Sequence, residues 1–466
     1  VGNNLRKHTK MNQSKQIILF FFIISFIVNS CKDKKSSIQK TNENAIEKQV
    51  ESIVKPFIED SVIAGTVIGI VQNGKIEFLK SYGFSDLYKK TPIENNAIFP
   101  IASVTKTFTA IAAMQLVEKG LINLDDDINN FIDFDTKDKT VTIRQLLNHT
   151  SGIKDYTESD IPSKLQEGEY TSADFLRLLE EKPFDFSPED AMDYNNSGYY
   201  LLAMIIEQVS GITYEEYLNH KIFEPLDMTS TANCYSSTIN SKIVSGFNMD
   251  NDGNLNPAKL GDFQMAMGAG SICSTVDDLL KWQIALHHSK KLLNEKSYEL
   301  ITSKNKLKNG GYTNYGLGLE VTQYNGNNVL SHNGVIEGYL SDTRYFPESD
   351  LTIVTLINTL GKIKPTNISN TIADSFIENK DATKPFEGKL DDLSGNYTGI
   401  VMGNKIIMDV LEENGQLIIE SRGNKIPIQY IGQNAWLAED GYVYEFMEKK
   451  MQVNAPKLSV IFNKSE

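Results

Sequence analysis

The chain has 466 residues, 40% of them hydrophobic and 23% charged, with a formal net charge of −14. That length and composition describe a globular protein of two or three domains with a sizeable core. The acidic balance excludes a general nucleic-acid binder, which needs a basic surface to neutralise phosphates.

The first element is a targeting segment. Lys15, with Arg6, Lys7 and Lys10 upstream, precedes the apolar stretch QIILFFFIISFIVN at 16–29. It is too short to span a membrane comfortably and fits the apolar region of a secretory signal. The stretch ends Val28-Asn29-Ser30-Cys31, which resembles a bacterial lipoprotein signal. That resemblance implies that residues 1–31 are a signal peptide, that Cys31 is the lipid-attachment residue, and that the mature protein is exported and anchored to a bacterial membrane through its lipid, facing the periplasm or the cell surface; the alternative is an ordinary secretory signal cleaved nearby. Residues 32–46 are polar and read as a tether.

From Glu47 the apolar residues Val50, Ile53, Val54, Phe57 and Ile58 follow helical spacing. Two β-rich runs flank Asn73-Gly74, a hairpin signal. A helix after Ser103 is expected to stop at Gly120. Helices are predicted behind the caps Thr171, Thr213 and Thr275, and over 197–210. Strands return near 315, and a last helix is expected over 367–378. His287-His288 follows a helix and reads as solvent-facing. This order predicts an α/β (α+β) architecture: an antiparallel sheet flanked by helices, plus a helical subdomain, within 47–382. Residues 388–466 are short strands and turns, predicting a separate small all-β barrel or sandwich.

FPIASVTKTFTAIAAMQL, 99–116, has the apolar content of a buried helix, with Ser103 and Lys106 at its mouth. Ser-x-x-Lys occurs five times, at Ser37, Ser52, Ser103, Ser151 and Ser303, so the spacing alone decides nothing. Only at Ser103 does it open a long apolar helix. Residues three apart share a helix face, so the two groups point together. A desolvated lysine loses its proton readily and can serve as base to a serine nucleophile. The competing reading has Lys106 reaching water and Ser103 as a cap. Tyr-x-Asn occurs at Tyr194–Asn196, Tyr217–Asn219 and Tyr312–Asn314; only the first lies just before a helix, where a phenol can face a cleft. Read alone, Asn196 serves equally well as the helix cap. His-x-Gly occurs once, as His332-Asn333-Gly334.

Together and in order, these motifs resemble the serine β-lactamase and penicillin-binding-protein superfamily, in its class C and D-amino-acid-peptidase-like branch. The likeness covers about 45–380 and includes LLNHTSGI at 146–153, GAGSICSTVDDLLKW at 268–282, YGLGLE and SHNGVIEGY. It implies Ser103 as acylated nucleophile, Lys106 and Tyr194 as the base pair, and Asn196 as a contact to the substrate amide. It further implies that His332 and Gly334 line the substrate site and that the N–H groups of Ser103 and Val335 form the oxyanion hole. The implied function is a serine hydrolase that cleaves an amide or ester in a D-amino-acid peptide, a cell-wall fragment or an ester. A β-lactamase or D-Ala-D-Ala carboxypeptidase is the alternative among enzymes; a non-catalytic ligand-binding or sensor protein is the alternative among binders. The best-known relatives carry Lys-Thr-Gly where this chain has His-Asn-Gly. No cofactor and no metal are expected: Cys31, Cys234 and Cys273 have no ligand spacing. Cys234 and Cys273 are either paired or two independent thiols.

Overall fold

The computed structural model describes residues 45–161, 165, 170–261, 263–380, 386–401, 404–432, 434–439, 442–455 and 457–465. The expected signal, Cys31 and residues 32–44 of the tether lie outside them. The chain forms two compact units, Val1–Ser52 and Ile53–Glu466. In the first, residues 45–52 are helical. All that follows concerns the second.

Its main sheet has seven strands in the spatial order Glu320–Tyr324, Asn327–Ile336, Tyr339–Phe346, Leu351–Ile357, Gly65–Gln72, Lys75–Asp86, Thr91–Pro92. Every pairing is antiparallel. The hairpin signal is realised: Asn73 and Gly74 have φ of 50° and 71°, the backbone that a tight hairpin turn between right-twisted strands requires. Helix Val276–Gln283 lies close on this sheet. A Cβ at Gly69 would sit 2.6 Å from Val276 Cγ1, so glycine sets that approach.

Helix Thr105–Glu118 runs through the centre of the core. Eleven of its fourteen residues are buried, the pattern of a helix enclosed on all sides rather than one lying on a surface. Phe108 stacks on Trp282 with ring centroids 4.0 Å apart. The caps act as expected. Thr171 and Thr213 close capping boxes, Thr275 accepts from the Asp278 amide, and Gly211 ends helix Asn196–Ser210 at φ 73°. The last helix of this region is shorter than the 367–378 expectation. It spans Pro365–Ala373, with Pro365 in its first turn, where a missing N–H costs nothing.

His287 departs from the expectation that the histidine pair faces solvent; His288 meets it. Helix Val276–Gln283 continues as a π turn, Ile284–His288. His287 is therefore buried: it stacks on Tyr345 at 4.5 Å and hydrogen-bonds the Tyr298 hydroxyl at 2.9 Å. His288 lies outside and pairs with Asp350. Burial pushes the His287 imidazole down to about 3 from an ordinary 6.5, with the Lys290 ammonium adding to it. The folded state thus holds it neutral. Its contribution to stability is full above pH 6.5 and is lost as pH falls toward 3. Urea unfolding of His287→Phe should show a shallower fall of stability with acidification, by up to one proton; an unchanged slope would refute this.

Residues 395–464 form a closed barrel of eight consecutive antiparallel strands, Gly395–Val401 to Leu458–Lys464. Tyr397 pairs with Lys464 to shut it. Its interior holds Tyr397, Trp436, Phe446 and Phe462. The last strand also pairs outward with Met192–Asp193. Cys234 and Cys273 are joined in a disulfide, tying the strand Ile272–Ser274 to the chain just after Ala232–Asn233, its neighbour in a small sheet.

Candidate active site

Ser103 sits in the short 3-10 turn Ala102–Val104 that leads directly into helix Thr105–Glu118. Ala102, just before it, has φ 45°, a left-handed backbone that costs a non-glycine residue about 1 kcal/mol or more. Neighbouring strands hold the turn in place. The Ser341 hydroxyl donates to the Ile101 carbonyl at 2.7 Å, and the Ile101 N–H donates to the Ile272 carbonyl at 2.9 Å.

Lys106 is wholly buried one turn on. Its Nζ lies 2.7 Å from Asn196 Oδ1, 2.9 Å from the Ala269 carbonyl and 3.3 Å from Ser103 Oγ. It stands 4.6 Å from the centre of the Tyr194 ring. Burial pushes its ammonium well below the usual lysine value; the Lys457 ammonium adds to this and the Asp155 carboxylate opposes it. The alternative in which Lys106 reaches water is thereby excluded; of the other Ser-x-x-Lys pairs, those at Ser52, Ser151 and Ser303 open no buried helix, and the one at Ser37 lies outside the described residues. The short GAG run has a purpose as well. Gly268 takes φ 71° against the Tyr199 carbonyl, which presents Ala269 to the lysine.

Tyr194 is the residue at which three parts of the fold meet. Its N–H donates to the Lys457 carbonyl at 3.0 Å, and the next two residues open helix Asn196–Ser210. Its buried hydroxyl has no full hydrogen bond among the described residues. Burial raises the phenol well above its ordinary value, and Ser103 is the neighbour that acts against this. The helix cap is Asn195, whose side chain accepts from the Gly198 N–H, so Asn196 is free for other work. It receives Lys106 on Oδ1 and gives Nδ2 to Asp155 at 2.9 Å.

His332, Gly334 and Val335 lie on strand Asn327–Ile336, which passes beside the Ser103 turn. A Cβ at Gly334 would stand 3.0 Å from the Ser103 nitrogen and 2.4 Å from the Ile101 carbonyl. Only a glycine lets the strand come this near. Val335 follows, half exposed, at the strand's open end. His332 is buried and both ring nitrogens are engaged. Nδ1 is 2.8 Å from the Asn333 carbonyl and Nε2 is 2.9 Å from the Tyr315 hydroxyl. Donation from Nδ1–H leaves Nε2 as the acceptor of Tyr315 O–H. Burial, aided by the Lys106 ammonium, lowers the imidazole to about 3. Near neutral pH the third motif therefore carries no charge.

Four residues escaped the sequence reading. Asp155 accepts from the Asn196 N–H and Nδ2 and from Thr157, and so fixes the amide that faces Lys106. His149, within LLNHTSGI, is buried with its ring 4.4 Å from Tyr194. Glu320, the last residue of YGLGLE, is buried and receives Ser331 Oγ and Asn333 Nδ2; burial pushes its carboxyl up to about 7. Lys457 arrives from the barrel, its Nζ 4.7 Å from the Tyr194 ring centre on which Lys106 also bears. No group of three or more possible metal ligands exists among the described residues.

The arrangement gathers a hydroxyl, a desolvated amine and a phenol at the start of helix Thr105–Glu118, beside strand Asn327–Ile336. A family model described as Beta-lactamase matches residues 50–375. The chain belongs to the beta-lactamase family. PbpX of Bacillus subtilis (strain 168), a penicillin-binding protein by name, is 29% identical over 335 residues, 70% of this chain and 80% of its own. The octameric penicillin-binding protein homologue from Pyrococcus abyssi superposes with a TM-score of 0.63 at 25% identity over 89% of this chain and 99% of its own. D-amino acid amidase from Ochrobactrum anthropi SV3, solved with D-phenylalanine, superposes with a TM-score of 0.63 at 23% identity, covering 71% and 98% of the two chains. That likeness concerns the fold of this beta-lactamase-family domain.

Proposed function

We propose that the protein is a serine hydrolase that cleaves an amide or ester through an acyl-enzyme on Ser103. The observation that carries this is the buried Lys106 amine, 3.3 Å from Ser103 Oγ and driven toward neutrality by its surroundings. The neutral amine takes the Ser103 proton as Oγ attacks the carbonyl carbon. Tyr194 is raised by burial, so it enters as a phenol and hands a proton to the departing amine or alkoxide. Negative charge on the carbonyl oxygen falls between the Ser103 and Val335 N–H groups, at a turn whose rigidity spares reorganisation. Water then cleaves the ester formed on Ser103 by the same proton path in reverse.

The substrate is a D-amino-acid peptide, a cell-wall-derived fragment or a short ester. The family's penicillin-binding proteins and the fold likeness to an amidase support the amide half of that range. A neutral His332 leaves the third motif without the fixed charge of a lysine, which weighs against strong β-lactamase activity. Export and anchoring at Cys31 complete the proposal; the Cys234–Cys273 disulfide supports an oxidising compartment. A panel of a chromogenic cephalosporin, D-Ala-D-Ala peptides and 4-nitrophenyl acyl esters tests the reading. Turnover of peptides or esters with weak cephalosporin turnover is expected. Rapid cephalosporin hydrolysis would overturn the assignment of His332, and no turnover with no covalent adduct would favour a binder.

A further inference from the structure

The site has lost a cation and gained one. The third motif offers a neutral His332 with both nitrogens committed to Tyr315 and Asn333. Lys106 is enclosed by three oxygen acceptors. An anionic substrate group entering beside Ser103 thus finds neither of them available. Lys457 stands at the same ring as Lys106, from the opposite part of the chain. It is exposed, and among the described residues its ammonium makes no ion pair or hydrogen bond.

Its position is built rather than incidental. The loop that carries it joins the last two barrel strands, Lys450–Ala455 and Leu458–Lys464. Its carbonyl accepts the Tyr194 N–H at 3.0 Å, and Leu458 pairs with Asp193. On the other side, Asn314 gives Nδ2 to the Ala455 carbonyl and accepts from Ser459 Oγ at 3.1 Å. The loop is pinned on both flanks to segments that carry site residues, Tyr194 and Tyr315. The field of its ammonium reaches Lys106, His149, His332 and Glu320.

We infer that Lys457, contributed by the C-terminal barrel, is the substrate-binding cation of this active site, and that it selects acyl substrates bearing a free carboxylate near the scissile bond. This rests on the serine-hydrolase reading above. In this arrangement the barrel is a wall of the cleft and supplies the charge that the third motif lacks.

The experiment compares mono-4-nitrophenyl glutarate with 4-nitrophenyl butyrate, using the full chain. The readout is the ratio of kcat/KM for the anionic over the neutral ester. Lys457→Met should lower that ratio at least tenfold, chiefly through KM of the glutarate ester. Lys457→Arg should restore most of it, and added salt should lower the wild-type ratio toward that of Lys457→Met. Melting temperature checks that each variant is folded. A ratio unchanged in Lys457→Met, whether both esters slow together or neither does, overturns the inference. Equal slowing with a moved pH profile would assign Lys457 to tuning Tyr194 instead. Ester hydrolysis that persists undiminished in Ser103→Ala overturns the hydrolase reading on which this rests, whereas an unchanged ester ratio beside a dead Ser103→Ala overturns this inference alone.

Discussion

Ser103→Ala is expected to abolish labelling by a fluorophosphonate probe and to lower kcat/KM on any substrate by about 10^4-fold or more. The size follows from what the hydroxyl does. Without it the Lys106 amine has no nucleophile to activate, and only binding and the oxyanion contacts remain. Lys106→Met should cost as much, because serine and lysine act as one unit; the double variant should be no worse than either single one. The fold should not suffer in Ser103→Ala, since among the described residues the hydroxyl's contacts are with the catalytic groups themselves, Lys106 at 3.3 Å and the Tyr194 phenol. A melting temperature equal to or above that of the wild type, beside a dead site, is the signature of a residue kept for chemistry. Labelling that persists in the folded Ser103→Ala protein would remove the nucleophile assignment.

Gly334→Ala is the second large effect, and here stability and activity fall together. The added methyl meets Ser341 Oγ at 2.3 Å, the Ile101 carbonyl at 2.4 Å and the Ser103 nitrogen at 3.0 Å. The serine hydroxyl can rotate away, but it then leaves the Ile101 carbonyl that it now satisfies. The other two are backbone atoms of the nucleophile turn. The strand must retreat, at a cost of about 1–3 kcal/mol for overpacking, and the oxyanion contacts open with it. A loss of roughly 100-fold or more in kcat/KM is expected from a displacement of that order. Chemical denaturation and ester kinetics on one preparation check both. An alanine variant with unaltered activity would show that this close approach does not matter to the chemistry.

Much of the framework was legible because its signals are local. Thr171, Thr213 and Thr275 each bond an amide three residues on, and Asn73-Gly74 turns where it stands. Ser103 and Lys106 could be picked out because the helix behind them carries apolar and small residues on every face, the run Ala110–Met114 above all. Asp155 and Lys457 could not, since each reaches the site through pairings with distant segments that no local pattern encodes. His149 lay inside a motif already marked, yet a lone histidine carries no sign of where its ring will point. His287 was misplaced for a definable reason. The π turn inserts one residue, which rotates later positions by roughly 100° relative to a continuing α-helix.

The pairing of Gly65–Gln72 with Leu351–Ile357 bears on how the molecule is made. Thr66 hydrogen-bonds the Leu356 carbonyl, 290 residues later. At a ribosomal rate of 5–20 residues per second, that partner emerges about 15–60 s after the strand that awaits it. For that interval Val67, Ile68, Ile70 and Val71, fully or nearly fully buried in the finished protein, have one hairpin neighbour and an open edge. An open apolar edge is a template for pairing with another chain. Until its own strand arrives, that edge of the nascent protein stands without its native partner.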